Sequence, residues 1–222
     1  GWDFATVKYN SLGEEQWVAR FNGSDDNVDQ ARSIALDQSG NCFVTGATRT
    51  GFSSTTENMA TIKYDSDGNE QWVQIYEGPY GNSDMGFSVE VDASGNVYAG
   101  GYTWVGGGSD TDFVTIKYSN LGSEEWTSFY DGTGSSFDGI YDLALDSQGN
   151  VYVTGFSTGQ DSGYDCTTIK YDTSGYEEWV VSYDGPGNGY DTNHGIQVDD
   201  SGNVYTVGYS EGVSTAFDYV TI

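Results

Sequence analysis

The sequence predicts an all-β protein, namely a β-propeller of four antiparallel blades with four strands each. Three observations predict it: a repeat of about 53 to 55 residues, alternating polar and apolar segments within each repeat, and turn residues between the segments. The composition agrees, since 32 glycines and 18 tyrosines against 2 prolines are typical of short strands joined by tight turns. We therefore expect residues 1–222 to form a single β-propeller domain or part of a longer propeller array.

Three residue types recur at spacings of 55, 54 and 53 residues. They are Trp17, Trp72, Trp126 and Trp179, then Gly40, Gly95, Gly149 and Gly202, and finally Lys8, Lys63, Lys117 and Lys170. In the first full repeat, the predicted strands read SIALD, NCFVTGAT, MATIKYD and EQWVQIY. The sequence D-x-x-G-N between the first two predicts a hairpin turn, because Gly adopts the positive φ angle that such turns require.

Packing each blade on the next would bury one aromatic layer per interface. The predicted inter-blade core comprises the four repeated tryptophans together with Phe43, Tyr98, Tyr152 and Tyr205.

The repeated segments resemble the bacterial SBBP β-propeller repeat family. The likeness is carried by TIKYDSDGNEQW, DFVTIKYSNLGSEEW and TIKYDTSGYEEW, and by DQSGNCFVTG, DASGNVYAGG and DSQGNVYVTG. This resemblance implies a secreted or cell-surface bacterial propeller module, without a catalytic activity shared across the family. The family usually has seven blades, and the four units of this sequence leave the ring size open.

The first and last segments, GWDFATVKY and FDYVTI, are the same strand of the repeat. Closing a four-bladed ring therefore leaves one third strand unplaced. Two alternatives stay open: the sequence is cut from a longer array, or the surplus strand completes a blade of a neighbouring molecule. A contact of the second kind is heterologous and builds open filaments. The residues predicted to take part in this strand exchange are Asp3, Phe4, Val7, Tyr9, Phe217 and Tyr219.

The charge is strongly acidic, with 34 acidic against 7 basic residues and a net charge of -27. Such a surface repels nucleic acid and anionic membranes, so we expect neither nucleic-acid binding nor membrane insertion. The sequence begins without Met, and we expect neither a signal peptide nor a membrane-spanning segment within it, since it has no apolar run long enough to span a bilayer. Cys42 and Cys166 occupy slots that other repeats fill with apolar residues, which predicts free, buried thiols.

Every lysine of the chain stands in one slot of the repeat, on the third strand. We expect Lys8, Lys63, Lys117 and Lys170 to form partly buried ion pairs with one of two repeated carboxylate sets. The first set is Asp37, Asp92, Asp146 and Asp199, and the second is Glu15, Glu70, Glu124 and Glu177.

A further acidic set precedes the innermost strand of each repeat. It consists of Asp29, Asp84, Asp138 and Asp191. Two interpretations stay open: the four carboxylates converge at one mouth of the central channel and bind Ca²⁺, or each one caps its own loop. Ca²⁺ is the one cofactor that the sequence suggests.

A variable slot follows three residues after each of these aspartates and holds Arg32, Phe87, Tyr141 and His194. Variation between blades is how a symmetric scaffold builds an asymmetric site, and we expect this slot to face the channel mouth. The sequence shows no Ser/His/Asp arrangement and no metal-spaced His/Cys cluster, so no catalytic residues are predicted.

The leading functional prediction is a non-enzymatic extracellular structural or adhesive module that forms homo-oligomers or filaments through its terminal strands. The second is a carbohydrate or small-ligand binding propeller that uses the loops at residues 47–56 and at Trp104. The third is a Ca²⁺-dependent phosphoesterase-like hydrolase, which rests on analogy between folds.

Overall fold

The computed structural model describes residues 1–24, 27–49, 56–106, 110–134, 136–160, 163–213 and 217–222. These residues form 17 β-strands in five antiparallel sheets. The all-β prediction is therefore confirmed. No helix long and apolar enough to cross a membrane occurs in the part of the chain that the structure describes.

The five sheets follow one another along the chain, and each is a simple meander. The N-terminal half-sheet consists of β1 (Phe4–Tyr9) and β2 (Glu15–Phe21). Blade I consists of β3 (Asp29–Leu36), β4 (Cys42–Arg49), β5 (Glu57–Tyr64) and β6 (Glu70–Tyr76). Blade II consists of β7 (Asp84–Val91), β8 (Val97–Gly106), β9 (Asp110–Tyr118) and β10 (Glu124–Tyr130). Blade III consists of β11 (Gly139–Leu145), β12 (Val151–Thr158), β13 (Tyr164–Tyr171) and β14 (Glu177–Tyr183). The C-terminal sheet consists of β15 (Thr192–Val198), β16 (Val204–Glu211) and β17 (Phe217–Thr221).

Three sheets are thus complete four-stranded blades, and two are partial. The N-terminal half-sheet supplies the third and fourth strands of a blade, whereas the C-terminal sheet supplies the first three. Over the described ranges, the two partial sheets are separate and do not share a strand pairing. The predicted blade architecture is confirmed, while the number of blades in a closed ring stays a prediction.

The hairpin turns form as the D-x-x-G-N sequence predicts. In the first turn, the Asp37 carboxylate accepts the backbone N–H groups of Ser39 and Asn41, both at 2.9 Å. Gly40 takes a φ of 78°, and the matching glycines of the other three turns have φ between 80° and 85°. Hydrogen bonds from Asn203 hold the pKa of the equivalent Asp199 below its usual value. The turn geometry therefore repeats in all four copies.

Each sheet packs face to face on the next, and an apolar cluster fills every interface. Successive side chains on the second strand of a blade point to opposite faces of the sheet, because a strand is pleated, so they pack on the two different neighbouring sheets. On β4, Phe43 packs toward blade II beside Trp72, whereas Val44 packs toward the N-terminal half-sheet beside Phe4. The core of the molecule is therefore a row of similar interfaces rather than one central cluster.

Two β-bulges recur along the repeat and re-aim neighbouring side chains. The first interrupts the pairing of first and second strands, for example between Ala31 and Ser33 and between Gly86 and Ser88. The second interrupts the pairing of third and fourth strands, for example between Lys170 and Tyr171. A bulge adds one unpaired residue and redirects its side chain, so both positions are candidates for special roles.

Candidate functional site

The variable slot coincides with the first bulge in every sheet that has one. Its side chains form a continuous row across the sheets, because the bulged residues point toward one another from neighbouring blades. The Arg32 guanidinium carbon lies 5.2 Å from the centre of the Phe87 ring, which in turn lies 5.4 Å from the ring of Tyr141. Tyr141 stacks on His194 at 4.6 Å with 14° between the ring planes. Burial lowers the pKa of His194, which favours the neutral imidazole in this stack.

A cleft opens beside this row between blades II and III, with a volume of about 330 Å³. We call it the aromatic cleft because six rings line it: Phe87, Tyr102, Trp104, Phe137, Tyr141 and Phe156. Tyr102 lies 5.8 Å from Phe87, and Phe156 lies 5.5 Å from Tyr141. Trp104 was predicted to mark a binding loop, and its ring lies in the cleft wall. Of the other predicted loop, residues 50–55 lie outside the described residues.

The repeated tryptophans lie at the interfaces and dock on the next sheet. The indole N–H of Trp17 donates to the Ser66 carbonyl oxygen at 3.1 Å, and that of Trp126 donates to the Thr173 carbonyl oxygen at 3.2 Å. The rings of Trp17, Trp72 and Trp126 each cover a glycine of the following turn, and a Cβ on Gly175 would stand 2.7 Å from Trp126 Cδ2. Trp72 docks likewise on the turn of Asn120, whereas no following turn of this kind faces Trp179 in the described chain.

The repeated lysines divide into two pairs. Lys117 bonds Glu125 at 3.0 Å, and Lys170 bonds Glu178 at 2.6 Å. These partners lie one residue after the predicted Glu124 and Glu177, because the second bulge turns that residue toward the lysine.

The other two lysines meet glutamine at the bulge, namely Gln16 and Gln71, and bond to the next sheet instead. Lys8 donates to the Ser66 carbonyl oxygen at 2.7 Å, and Lys63 donates to the carbonyl and side-chain oxygens of Asn120. The sequence distinguishes the two pairs, since the motif before the tryptophan reads E-E-W in the repeats of Lys117 and Lys170 but E-Q-W in those of Lys8 and Lys63.

The four aspartates of the predicted cation site lie in separate places, and each accepts a backbone N–H from a glycine six residues earlier. These bonds join Gly23 to Asp29 at 2.9 Å, Gly78 to Asp84 at 2.7 Å, Gly132 to Asp138 at 2.6 Å, and Gly185 to Asp191 at 2.9 Å. A second partner fixes the other oxygen of each carboxylate, such as the Thr48 hydroxyl at 2.6 Å from Asp29. The loop-capping interpretation fits this geometry, and the Ca²⁺ site stays a prediction.

Two of these aspartates also belong to small carboxylate groups at successive interfaces. Asp138 lies with Asp112 and Asp131, and the equivalent Asp191 lies with Asp165 and Asp184. Burial, followed by the nearby carboxylates, raises the pKa of Asp112 to about 6, and burial raises that of Asp138 to about 7. Thr111 and Phe137 of the aromatic cleft adjoin Asp112 and Asp138 in sequence, so the first of these two groups belongs to the same interface as the cleft.

The residues of the predicted strand exchange differ in burial. Phe4 is buried, and its ring lies 5.6 Å from that of Phe21. Val7, Tyr9, Phe217 and Tyr219 are exposed, and Asp3 is partly exposed. β1 pairs with β2 and β17 pairs with β16, each within its own sheet. Whether these strands exchange between molecules stays a prediction.

Both thiols are free and buried, as predicted. Desolvation raises the pKa of Cys42 to about 11, so the reactive thiolate is scarce in the folded protein.

Comparison with known proteins agrees with this architecture. No curated protein matches the chain. Residues 16–52, which run from β2 through β4, match the family model of the SBBP β-propeller repeat. This match confirms the resemblance drawn from the sequence motifs. Residues 16–52 of the chain are therefore an SBBP-type β-propeller repeat.

Proposed function

We propose that this propeller module is structural and that it joins blade to blade with a second copy of the chain. The observation that carries the proposal is the exposure of one repeated interface at its two ends. The first-strand residue of this interface is 2% exposed at Val89, Leu143 and Ile196 but 58% exposed at Ile34. The second-strand ring is at most 2% exposed at Phe43, Tyr98 and Tyr152 but 52% exposed at Tyr205.

The two open faces are the two halves of the same interface. Ile34 is open because, among the described residues, the N-terminal half-sheet consists of β1 and β2 and no first or second strand covers it. Tyr205 is open because no blade follows the C-terminal sheet in the described chain. Placing β15 and β16 of one copy beside β1 and β2 of another builds one complete blade and covers both faces. An unpartnered sheet face with these residues is a large apolar surface, which favours association.

This composite blade requires β1 of the incoming copy to take the place of β17 beside β16. β17 is weakly anchored, since four of its five residues are exposed and Tyr219 is 98% exposed. β1 brings the buried Phe4 and a hairpin partner, β2. The exchange therefore replaces a strand with few packing contacts by one that is already part of a sheet.

A matched docking point supports the same arrangement. Each tryptophan of the earlier sheets lies on a glycine with positive φ in the next turn. Gly13, the equivalent glycine of the N-terminal half-sheet, has a φ of 80°, and none of the described atoms lies within 4 Å of its Cβ position. Trp179 stands at the other end of the array, and no such turn faces it within the described ranges. In the composite blade, Trp179 of one copy would lie on Gly13 of the next.

The test is light scattering coupled to size-exclusion chromatography, with negative-stain microscopy of the same fractions. We expect concentration-dependent head-to-tail oligomers whose growth increases with salt, because screening weakens the repulsion between chains of charge -27. Ile34→Glu or Tyr205→Glu should each stop growth, since either one puts a charge into the interface. Leu121→Glu is the matched control, because Leu121 is an exposed apolar residue of a turn in blade II.

A result of monomers at every concentration and salt would contradict the proposal. If hydrogen exchange then found β1 protected, a ring closed within one molecule would be the explanation. Growth that continues in both face variants would place the contact elsewhere.

The proposed location is the outside of the cell, as the family resemblance implies. The proposed role there is adhesion in addition to self-assembly. Immunodetection on intact bacteria against lysed cells tests this setting. A signal that requires lysis would contradict it.

A further inference from the structure

The aromatic cleft lies between blades II and III, and the residues that line it belong to one chain. Its volume of about 330 Å³ lies within the range of small-molecule sites. A closed apolar cavity of about 150 Å³ is enough for one benzene ring, so the cleft has room for one ring and its substituents. Its properties depend on these two blades and not on the self-assembly proposed above.

The repeat shows which side chain stands at this place one interface later. Thr111 in the wall of the cleft and Tyr164 occupy the same slot, six residues before the repeated lysine. Thr111 pairs with Phe137 through an isolated parallel β-bridge, and Tyr164 pairs with Tyr190 in the same way. In both cases the carbonyl oxygen accepts, at 2.7 Å, the backbone N–H of the residue after the bridge partner. The two positions are therefore equivalent in structure as well as in sequence.

At the interface between blade III and the C-terminal sheet, the ring of Tyr164 fills this place. Its centre lies 4.7 Å from that of the Phe156 ring and 5.1 Å from that of the Tyr190 ring. One interface earlier, the slots of these two ring partners hold Tyr102 and Phe137, and both line the aromatic cleft. The cleft is thus the space that a tyrosine ring takes at the next interface, left open by a side chain without a ring.

Two other rings of the cleft already have partners. Arg32 lies over the Phe87 ring at 5.2 Å, and Trp104 packs edge to face with Tyr80 at 6.0 Å. The inference therefore rests on the two rings beside the open slot rather than on these. Of those two, Phe137 is 39% exposed, so a ligand can reach this side of the cleft from solvent.

We propose that the aromatic cleft binds a small molecule through a single ring of the phenol type, in the place that Tyr164 takes at the next interface. Aromatic rings attract another ring in offset or edge-to-face geometry, beyond the gain from burying its apolar area. Asn82 and Ser83 also line the cleft and bring polar groups to it, which suits a ring that carries a hydroxyl.

The test is isothermal titration calorimetry with p-cresol, which is the tyrosine side chain alone, and with 4-methylcyclohexanol, which carries the same substituents on a saturated ring. We expect p-cresol to bind at one site and the saturated alcohol to bind about three- to tenfold more weakly. Phe137→Leu should weaken p-cresol binding by about the same factor, since it keeps an apolar side chain and removes a ring.

Two substitutions in the slot test the place itself. Thr111→Tyr should abolish p-cresol binding, because a ring of the chain then occupies the cleft. Tyr164→Thr should give a second binding site, because it empties the equivalent place one interface later. Leu121→Tyr is the matched control, since Leu121 is an exposed turn residue outside the cleft, and the added ring should leave binding unchanged.

Equal affinity for p-cresol and 4-methylcyclohexanol would overturn the proposal, because the cleft would then recognise apolar volume alone. Undiminished binding in both Thr111→Tyr and Phe137→Leu would overturn it as well, and a single site in Tyr164→Thr would contradict the equivalence of the two places. Saturable binding of N-acetylglucosamine without any of p-cresol would identify a glycan site instead. Tighter binding of a glycyl-tyrosyl-glycine peptide than of p-cresol would replace the small molecule by a tyrosine of a partner protein.

Discussion

The docking of Trp126 on Gly175 gives a prediction whose size follows from the geometry. Gly175 has a φ of 84°, and an added Cβ would stand 2.7 Å from Trp126 Cδ2. The indole cannot retreat freely, because its N–H donates to the Thr173 carbonyl oxygen and its ring lies 6.2 Å from that of Tyr98. Gly175→Ala therefore combines left-handed backbone strain with a steric overlap.

The two costs can be separated with Gly149→Ala. Gly149 has a φ of 85°, and its nearest neighbour, Thr173 Cγ2, lies at an ordinary 3.6 Å. Backbone strain alone costs about 1 to 2 kcal/mol, so Gly149→Ala should lower the free energy of unfolding by about that amount. Overpacking adds about 1 to 3 kcal/mol, so Gly175→Ala should cost about 2 to 5 kcal/mol.

Urea unfolding followed by circular dichroism measures both variants in one buffer. A third comparison isolates the contact itself: in the Trp126→Ala background, Gly175→Ala should cost only what Gly149→Ala costs. Equal costs for the two glycine variants in the wild-type background would refute the docking. An unchanged cost of Gly175→Ala without the indole would refute it as well.

Gln71→Glu places a carboxylate at the bulge opposite Lys63, as Lys117 and Lys170 already have. It should raise the free energy of unfolding by about 0.2 to 1 kcal/mol, measured by urea unfolding. A loss of stability would contradict the explanation that the residue at the bulge decides the lysine's partner. The folded pKa of Asp138, about 7, exceeds its ordinary value of 3.8, so its contribution to stability is complete below about pH 4 and is lost as the pH rises through about 7. Thermal unfolding from pH 4 to 8 should therefore show a steeper decline for the wild type than for Asp138→Asn, and parallel curves would refute the shift. Cys42 should react with a thiol reagent at pH 8 only after denaturant is added, and rapid labelling of the native protein would contradict its burial.

Most of the fold could be predicted from the sequence because the same pattern of strands and turns occurs four times. The D-x-x-G-N turns and the alternating segments on either side of them determine strand order without any long-range information. The buried ring at Phe43, Tyr98 and Tyr152 follows from the same alternation.

The predictions that differ from the structure lie mainly at the bulges. Alternation predicted innermost strands that begin near Ser33, but β3 begins at Asp29, because the bulge at Arg32 shifts the alternation by one residue. The same effect moved the lysine partners from Glu124 to Glu125 and from Glu177 to Glu178. A bulge leaves no fixed sequence signal, so the side chains that it redirects were the hardest to assign. The sequence indicated three rings of the aromatic cleft, namely Phe87 and Tyr141 in the variable slot and Trp104 in a binding loop, but it did not show that they line one cleft.

The two open faces, at Ile34 and at Tyr205, are proposed to be halves of one interface between copies. Mass photometry of a mixture of Ile34→Glu and Tyr205→Glu tests it most directly. Each variant alone has one altered face and should stay monomeric. In the mixture, the unaltered Tyr205 face of Ile34→Glu can bind the unaltered Ile34 face of Tyr205→Glu. The two remaining faces of that dimer are both altered, so nothing larger than a dimer should form. Monomers in the mixture, with or without oligomers of the wild type, would contradict the claim.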